Sequence, residues 1–121
     1  VYFRSIENKY LESILNKKFK YIISTGGGTP CYSNNIELIK KNKYLKSFYL
    51  KSSINQLTNR LFPEKEKRPL ISNIKSKKDL NSFISKHLFE RNFFYNQADY
   101  VIDTENKNIS KILSEIKEKL T

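Results

Sequence analysis

The stretch Ile22-Ile23-Ser24-Thr25-Gly26-Gly27-Gly28-Thr29-Pro30 holds all three glycines of a 121-residue chain. At an average usage of about 7%, a chain of this length has roughly eight glycines, scattered among its turns. A glycine lacks a Cβ, so it permits positive φ and lets a ligand approach bare backbone. A short apolar run that opens into such a loop is typical of a buried strand whose carboxyl end meets a ligand in an α/β sheet. A flexible turn is the alternative, and this stretch alone does not choose between the two.

Length and composition bound the class of protein. A chain of 121 residues suggests one compact domain or a piece of one. No apolar run approaches the roughly 18 residues of a membrane span. Cys31 is the single cysteine, which excludes an internal disulfide and fits a reducing compartment. We expect Cys31 to be a small buried residue rather than a nucleophile, because no activating base is evident in the sequence.

The charged residues point in two directions. The net charge is +11, which is compatible with a basic nucleic-acid-binding module. The excess is lysine, however, in a chain rich throughout in Lys, Asn, Ile, Tyr and Phe, and this indicates compositional drift rather than a basic patch. The arginines are only four: Arg4, Arg60, Arg68 and Arg91. Because arginine binds carboxylate or phosphate through a planar fork that lysine lacks, each of them is a candidate anion ligand.

Hydrophobic periodicity predicts alternating helices and strands, and therefore an α/β fold with parallel strands. The predicted helices cover residues 2–15, 34–41, 54–61, 77–95 and 109–120, the strands cover 21–24, 48–50 and 98–104, and a polar turn covers 16–20. Ser53 and either Asn34 or Asn35 are the expected N-caps of two helices. Arg4 and Glu7 lie three residues apart, so they can form an ion pair on one helix face.

The segment from Phe62 to Lys75 carries charge and two prolines but no sustained period. It predicts a loop of about a dozen residues, long enough that function or disorder must explain it. Arg68 stands directly before Pro69, which biases the arginine to extended backbone. A mobile lid bearing an arginine and a disordered basic loop are both open interpretations.

Two polar residues, His87 and Arg91, fall on the apolar stripe of the helix predicted over residues 77–95. A charge on an inward face is costly unless it has a partner. Arg91 is therefore expected either to pair with a carboxylate or to point into a cleft that holds an anion. For His87 we expect a partly buried, hydrogen-bonded ring rather than a catalyst.

Taken together and in order, these pieces resemble the shikimate kinase family over nearly the whole chain. The matching pieces are Phe3-Arg4-Ser5-Ile6-Glu7 (F-R-x-x-E), Ile23-Ser24-Thr25-Gly26-Gly27-Gly28, Phe48-Tyr49-Leu50, the Arg60 helix, Arg68-Pro69-Leu70, and Arg91 to Tyr95 (R-x-x-x-Y) followed by Ala98. The resemblance implies ATP-dependent phosphorylation of the 3-hydroxyl of shikimate. It also implies a P-loop fold of the nucleoside-monophosphate-kinase type, with three layers and a parallel sheet.

By the resemblance, Arg4 and Arg91 would clamp the shikimate carboxylate, and Glu7 would orient Arg4. Gly27, with its neighbours Gly26 and Gly28, would bring backbone against the ring and hydroxyls of the substrate. These residues would form the acceptor side of the cleft.

The resemblance also implies a nucleotide side. Arg68 would be the catalytic residue, carried on a lid over residues 62–75 that closes over ATP and neutralises charge on the transferring phosphoryl group. Arg60 would lie against the adenine, and Lys107, in the turn after the last strand, would approach the nucleotide base. Phosphoryl transfer depends on positioning, electrostatic stabilisation and exclusion of water, and these roles agree with that requirement.

The chain departs from the family pattern in one respect. The family begins with a strand and G-x-x-G-x-G-K-[ST], which cradles the phosphates and holds Mg²⁺, followed by an acidic residue on the shikimate hydroxyls. None of these is present, so we expect residues 1–121 to form one domain that is incomplete at its N-terminus, with the Mg²⁺ ligands elsewhere and no metal ligand in this chain. The absent strand would lie between those of residues 21–24 and 48–50. We expect this chain alone to fold poorly and to lack normal ATP binding and kinase activity.

Alternatives remain at this point. A related small-molecule kinase of the gluconate kinase type, a catalytically inactive relative kept for binding, and a nucleic-acid-binding module each account for part of the pattern. The kinase interpretation implies shikimate and ATP as ligands, no nucleic acid or membrane partner, and a monomer when complete. It implies a cytoplasmic location, or a plastid if the source is eukaryotic.

Overall fold

The structure, a computed structural model, describes residues 1–18 and 20–121. The described elements are α1 (Tyr2–Leu15), a 3₁₀ turn (Thr29–Cys31), α2 (Asn35–Lys41), β1 (Phe48–Lys51), α3 (Ile54–Leu61), a second 3₁₀ helix (Phe62–Lys67), α4 (Lys77–Tyr95), β2 (Tyr100–Asp103) and α5 (Ile109–Leu120). All five predicted helices are confirmed. The predicted polar turn over residues 16–20 includes Phe19, which lies outside the described residues.

The two strands confirm the expected parallel sheet. β1 and β2 pair in parallel, with Phe48 opposite Tyr100 and Lys51 opposite Asp103. Because parallel strands need a long crossover, the chain between them carries α3 and α4. The α/β class predicted from the sequence is therefore confirmed.

The strand predicted over residues 21–24 is wrong. This segment has no regular secondary structure, and Ile22 is 99% exposed. A strand requires a neighbour that exchanges backbone hydrogen bonds with it, and no segment of residues 1–18 or 20–121 pairs with this one. The apolar run is present in the sequence, but the described sheet contains no strand that pairs with it.

The core of the described residues lies where α3 and α4 pack together. Ile71, Leu80 and Ile84 are buried, and Leu80 is fully inaccessible. Ser53 caps α3 as predicted, because its side chain accepts a hydrogen bond from the Gln56 amide at 3.0 Å. This packing fixes the base of α4, the helix that carries Arg91.

Part of the predicted loop over residues 62–75 has regular structure. Phe62–Lys67 form a 3₁₀ helix with Pro63 in its first turn, where a fixed φ and a missing amide hydrogen do no harm. Arg68 ends this helix in extended conformation, with φ −124° and ψ 108°, as the following proline predicts. The expectation of an aperiodic loop was therefore wrong for the first half of the segment.

The N-cap of α2 is one of the two asparagines that the sequence predicts. Asn34 occupies the N-cap position, but its side chain makes no capping bond. Its Oδ1 atom instead accepts a hydrogen bond from Asn8 of α1 at 2.7 Å. Asn35, the first residue of α2, is fully buried. The two asparagines therefore tie helices together rather than close a helix end.

Candidate active site

Arg4 is held on α1 in the way the sequence predicts. Its Nη1 atom donates to Glu7 Oε1 at 2.8 Å, and the side chains are 30% and 15% exposed. Its guanidinium carbon also lies 3.9 Å from the centre of the Tyr32 ring. Because a carboxylate and an aromatic face constrain it from two directions, the guanidinium is fixed before any ligand arrives.

Arg91 on α4 is held through a tyrosine one helical turn later. Its Nη1 atom lies 3.5 Å from the Tyr95 hydroxyl, which donates to the Gly27 carbonyl at 2.6 Å. The Tyr95 ring packs on Tyr49 of β1 with centroids 5.1 Å apart. No carboxylate forms an ion pair with Arg91 in the described part of the chain. Of the two expectations for this inward charge, the carboxylate partner is not found among the described residues, and the anion-holding cleft stays a prediction.

The glycine triplet lies directly against both arginines. A Cβ atom added to Gly28 would lie 2.7 Å from Arg4 Nη2, and one added to Gly27 would lie 3.1 Å from Arg91 Nη1. None of the glycines has positive φ, so the backbone freedom expected of them is not what the fold uses. The absence of a Cβ atom at Gly27 and Gly28 instead lets two guanidinium groups approach adjacent residues of one loop.

The two guanidinium groups act on a common patch. Both exert an electrostatic effect on the Cys31 thiol, and Tyr32 interacts with both. Glu7 is the only carboxylate paired with either arginine among residues 1–18 and 20–121. Two positive charges with one negative charge leave an excess of one positive charge, which suits a monoanion such as a carboxylate.

The pKa values of the site follow from these contacts. Burial raises the pKa of Glu7, but the hydrogen bonds from Arg4 and Thr29 outweigh it and hold the pKa below its ordinary value. For Arg91, burial acts to lower the pKa, but the interaction with the Tyr95 hydroxyl outweighs burial. The pKa of Arg91 therefore lies above its ordinary value. For Cys31 burial is the larger effect and raises the pKa of the thiol despite Arg91 and Arg4. Glu7 and Arg91 therefore stay charged at neutral pH, and Cys31 stays a half-buried thiol.

His87 lies beside this patch without joining it. Burial, and then the charge of Arg91, lower the pKa of its imidazole, so the ring is neutral at neutral pH. The ring stacks on Phe83 with centroids 5.4 Å apart. The expected partial burial is observed, but the expected hydrogen bond has no partner among the described residues.

Arg60 is linked through Gln56 to Glu105, which follows β2 and lies two residues before Lys107. In the orientation of the Gln56 amide that satisfies its neighbours, its nitrogen donates to Glu105 Oε2 at 2.7 Å and its oxygen accepts from Arg60 Nη2 at 3.1 Å. Lys107, two residues beyond Glu105, pairs with Glu115 at 3.0 Å. The structure thus brings the two predicted nucleotide-side residues to the same edge of the sheet.

Arg68 stands apart from the other site residues. Its nearest charged partner is Glu64, with Nη2 and Oε2 3.9 Å apart, and its side chain is 56% exposed. It lies on the rim of a cavity of about 510 Å³ between α3 and α4, which His87 and Phe83 also line. No contact joins Arg68 to Arg4 or Arg91 in the described structure. An exposed ion pair of this kind contributes little stability, so Arg68 can leave Glu64 at small cost.

The sequence analysis gave no role in the site to three residues that build it: Thr29, Tyr32 and Asn35. Thr29 donates to Glu7, Tyr32 supports Arg4, and Asn35 is fully buried beneath the loop. The position of Thr29 directly after the glycine triplet was the one signal that the sequence offered for it. The other two depend on contacts with α1 that local sequence does not encode.

Among residues 1–18 and 20–121, no group of three His, Cys, Asp or Glu side chains could hold a metal ion. Within the same residues, none of the helices combines the length and the apolar character needed to cross a membrane.

The fold and the site define an α/β protein in which two guanidinium groups, from different helices, lie beside a glycine loop. A family model described as shikimate kinase matches residues 1–121. The shikimate kinase of Flavobacterium johnsoniae is 41% identical over 116 residues, which are 96% of this chain and 66% of that protein. That of Azobacteroides pseudotrichonymphae is 40% identical over 98% of this chain and 68% of that protein. The chain belongs to the shikimate kinase family.

A solved structure agrees with this assignment. The crystal structure of shikimate kinase from Bacteroides thetaiotaomicron matches this one with a TM-score of 0.79 and 30% identity, over 97% of this chain and 65% of that chain. The resemblance found in the sequence and the predicted fold family are therefore confirmed. The chain spans about two thirds of the length of these relatives.

Proposed function

We propose that the protein to which these residues belong transfers the γ-phosphoryl group of ATP to the 3-hydroxyl of shikimate. One observation carries the proposal: two guanidinium groups from different helices lie against adjacent glycines with a single carboxylate to balance them. A cyclic hydroxy acid with one carboxylate matches that excess charge. Family membership supports the choice of shikimate among such acids.

Arg4 and Arg91 together would form a clamp that binds the substrate carboxylate. Arg4 and Arg91 would each donate to the carboxylate, and because they come from α1 and α4, the acid would be fixed in direction as well as position. The triplet around Gly27 would form the floor against which the ring and hydroxyls lie. Glu7 would hold Arg4 in place and would not contact the substrate.

Arg68 is proposed to stabilise the negative charge that develops on the transferring phosphoryl group. In the described conformation it is exposed and paired only with Glu64. We infer that it exchanges this partner for the phosphates of ATP when the segment around it closes, which would also exclude water that competes with the hydroxyl for the phosphoryl group. Arg68 would then be the catalytic residue of this chain.

The nucleotide base would lie near Arg60 and Lys107. Both sit at the carboxyl edge of the sheet, where α/β proteins bind ligands. The triplet is not proposed as the phosphate cradle, because the two arginines occupy the space beside Gly27 and Gly28. Mg²⁺ would neutralise charge on the phosphates, but the described residues do not supply a set of ligands for it, and no step here depends on it.

The test uses the longest natural polypeptide that contains these residues, assayed with ATP against shikimate and against gluconate. We expect phosphorylation of shikimate alone. Arg4→Lys and Arg91→Lys should each raise the KM for shikimate by about tenfold or more, since lysine cannot form the bidentate fork. Lys117→Gln, an exposed lysine of α5, is the control and should change KM less than about twofold. Preference for gluconate, or equal effects of the arginine and lysine variants, would contradict the proposal.

Several expectations remain part of this proposal. A catalytically inactive relative would bind shikimate in the same assay without turnover, and the comparisons do not favour it, since the relatives named above are shikimate kinases. A cytoplasmic location, a monomeric state and the inactivity of residues 1–121 by themselves stay predictions.

A further inference from the structure

Glu7 is held by two donors, one on each carboxylate oxygen. Arg4 Nη1 donates to Oε1 at 2.8 Å, and the Thr29 hydroxyl donates to Oε2 at 2.9 Å. Thr29 is 6% exposed, so water has little access to replace its hydroxyl. We propose that Thr29 is a positioning residue that fixes the Glu7 carboxylate and, through it, the guanidinium of Arg4.

Thr29 is itself held by a buried amide. Asn35 is fully buried, and its Nδ2 atom donates to the Thr29 carbonyl at 2.8 Å. Its Oδ1 atom accepts from Asn8 Nδ2 at 2.7 Å. Asn8 lies four residues after Arg4, and so on the same face of α1. The hydrogen bonds therefore form a closed circuit that begins and ends on α1, with the Thr29 hydroxyl as the link to Glu7.

The second donor matters because one hydrogen bond does not fix a carboxylate. With Arg4 alone, the Glu7 carboxylate could still rotate and carry the guanidinium with it. A donor on the other oxygen sets the plane of the carboxylate and so limits the directions available to Arg4 Nη1. It also satisfies an acceptor on a side chain that is 15% exposed, where an unmet hydrogen bond is costly.

Thr29 makes one hydrogen bond through its backbone carbonyl and one through its hydroxyl, so a substitution can remove the second and keep the first. Its carbonyl accepts from Asn35, and replacement of the side chain does not remove that bond. Its hydroxyl reaches Glu7 Oε2. Thr29→Val keeps the branched shape and the backbone bond but removes the hydroxyl donor, whereas Thr29→Ser keeps the donor.

The experiment uses the longest natural polypeptide that contains these residues and measures two quantities. The first is the pKa of Glu7, followed by the NMR shift of its carboxyl carbon during a pH titration. The second is the KM and kcat for shikimate. Thr29→Val should raise the pKa of Glu7 and raise the KM by about tenfold with little change in kcat, because a hydrogen bond to a charged group is lost. Thr29→Ser should remain within about twofold of the wild type in KM.

Thr58→Val is the matched control. Thr58 is also buried, and its hydroxyl donates to the Ile54 carbonyl within α3, away from the clamp. We expect it to lower stability while it leaves the KM for shikimate and the pKa of Glu7 unchanged. If Thr29→Val does not fold, Thr29→Ala is measured in its place with the same expected shifts.

A double variant tests whether Thr29 acts through Glu7. In a Glu7→Gln background, Thr29→Val should add less than about twofold to the KM, because the charged acceptor is already gone. An unchanged pKa of Glu7 in Thr29→Val, or equal changes of KM in Thr29→Val and Thr58→Val, would overturn the proposal. The KM part rests on the proposed function. If the wild type does not phosphorylate shikimate, that function fails, and the titration of Glu7 still decides the role of Thr29.

Discussion

Replacing Gly28 with alanine would displace Arg4 without straining the backbone. Gly28 has φ −84° and ψ −16°, which alanine adopts freely. The new Cβ would lie 2.7 Å from Arg4 Nη2 and 2.9 Å from Nη1, whereas ordinary contact begins at 3.4 Å. The guanidinium must therefore move by about 0.7 Å, although Glu7 and Tyr32 hold it in place.

The expected loss of shikimate binding by Gly28→Ala follows from hydrogen-bond geometry. Charge-assisted bonds from a guanidinium to a carboxylate are about 2.7–2.9 Å long, so a shift of this size removes the alignment of at least one bond. Such a bond contributes about 1.5–3 kcal/mol, which corresponds to roughly a 10- to 100-fold rise in the KM for shikimate. Stability should not fall with it, because Gly→Ala at a compatible position stabilises by about 0.4–1 kcal/mol through the unfolded state.

The assay compares the three glycines of the triplet. Added Cβ atoms would lie 2.7, 3.1 and 3.4 Å from their nearest neighbours at Gly28, Gly27 and Gly26 respectively. Steady-state kinetics with shikimate should therefore rank the KM of the alanine variants in that order, with Gly28→Ala highest, while urea unfolding shows no comparable loss of stability. A Gly28→Ala protein with wild-type KM, or one whose KM rises only because it is partly unfolded, would refute the reasoning.

Three further predictions concern Tyr95, Arg60 and Glu7. Tyr95→Phe removes the hydroxyl between Arg91 and the Gly27 carbonyl, and we expect about a tenfold rise in the KM for shikimate with the KM for ATP unchanged; a change confined to stability would count against this. Arg60→Gln should raise the KM for ATP several-fold and leave that for shikimate unchanged, and the reverse pattern would exclude Arg60 from the nucleotide side. The pKa of Glu7 is lower in the folded protein than in the unfolded chain, where it is about 4.3. The ionised carboxylate therefore stabilises the fold above the unfolded pKa. This contribution is lost as the pH falls through the lower pKa of the folded state. The difference in free energy of unfolding between wild type and Glu7→Gln should accordingly shrink between about pH 6 and about pH 3, and a constant difference would contradict it.

The sequence by itself determined the helices, their order and the candidate residues. Helical periodicity is a local property, so the helix predicted over residues 77–95 has the bounds Lys77–Tyr95 in the structure. The pair of Arg4 and Glu7 was predictable for the same reason, since three residues along a helix place two side chains on one face. A rare residue type in a lysine-rich chain was enough to single out the arginines.

The tertiary structure decided how these parts are used. The apolar run before the glycines looked like a strand, but strand structure depends on pairing with another strand, and the described sheet consists of β1 and β2 alone. The glycines were expected to permit positive φ or close approach to bare backbone. None has positive φ, and a Cβ atom at Gly27 or Gly28 would instead press against a guanidinium group. Thr29 and Asn35 carry no motif at all. Their roles arise because folding brings Asn8 and Glu7 of α1 against them, and contacts between residues distant in sequence have no local signature.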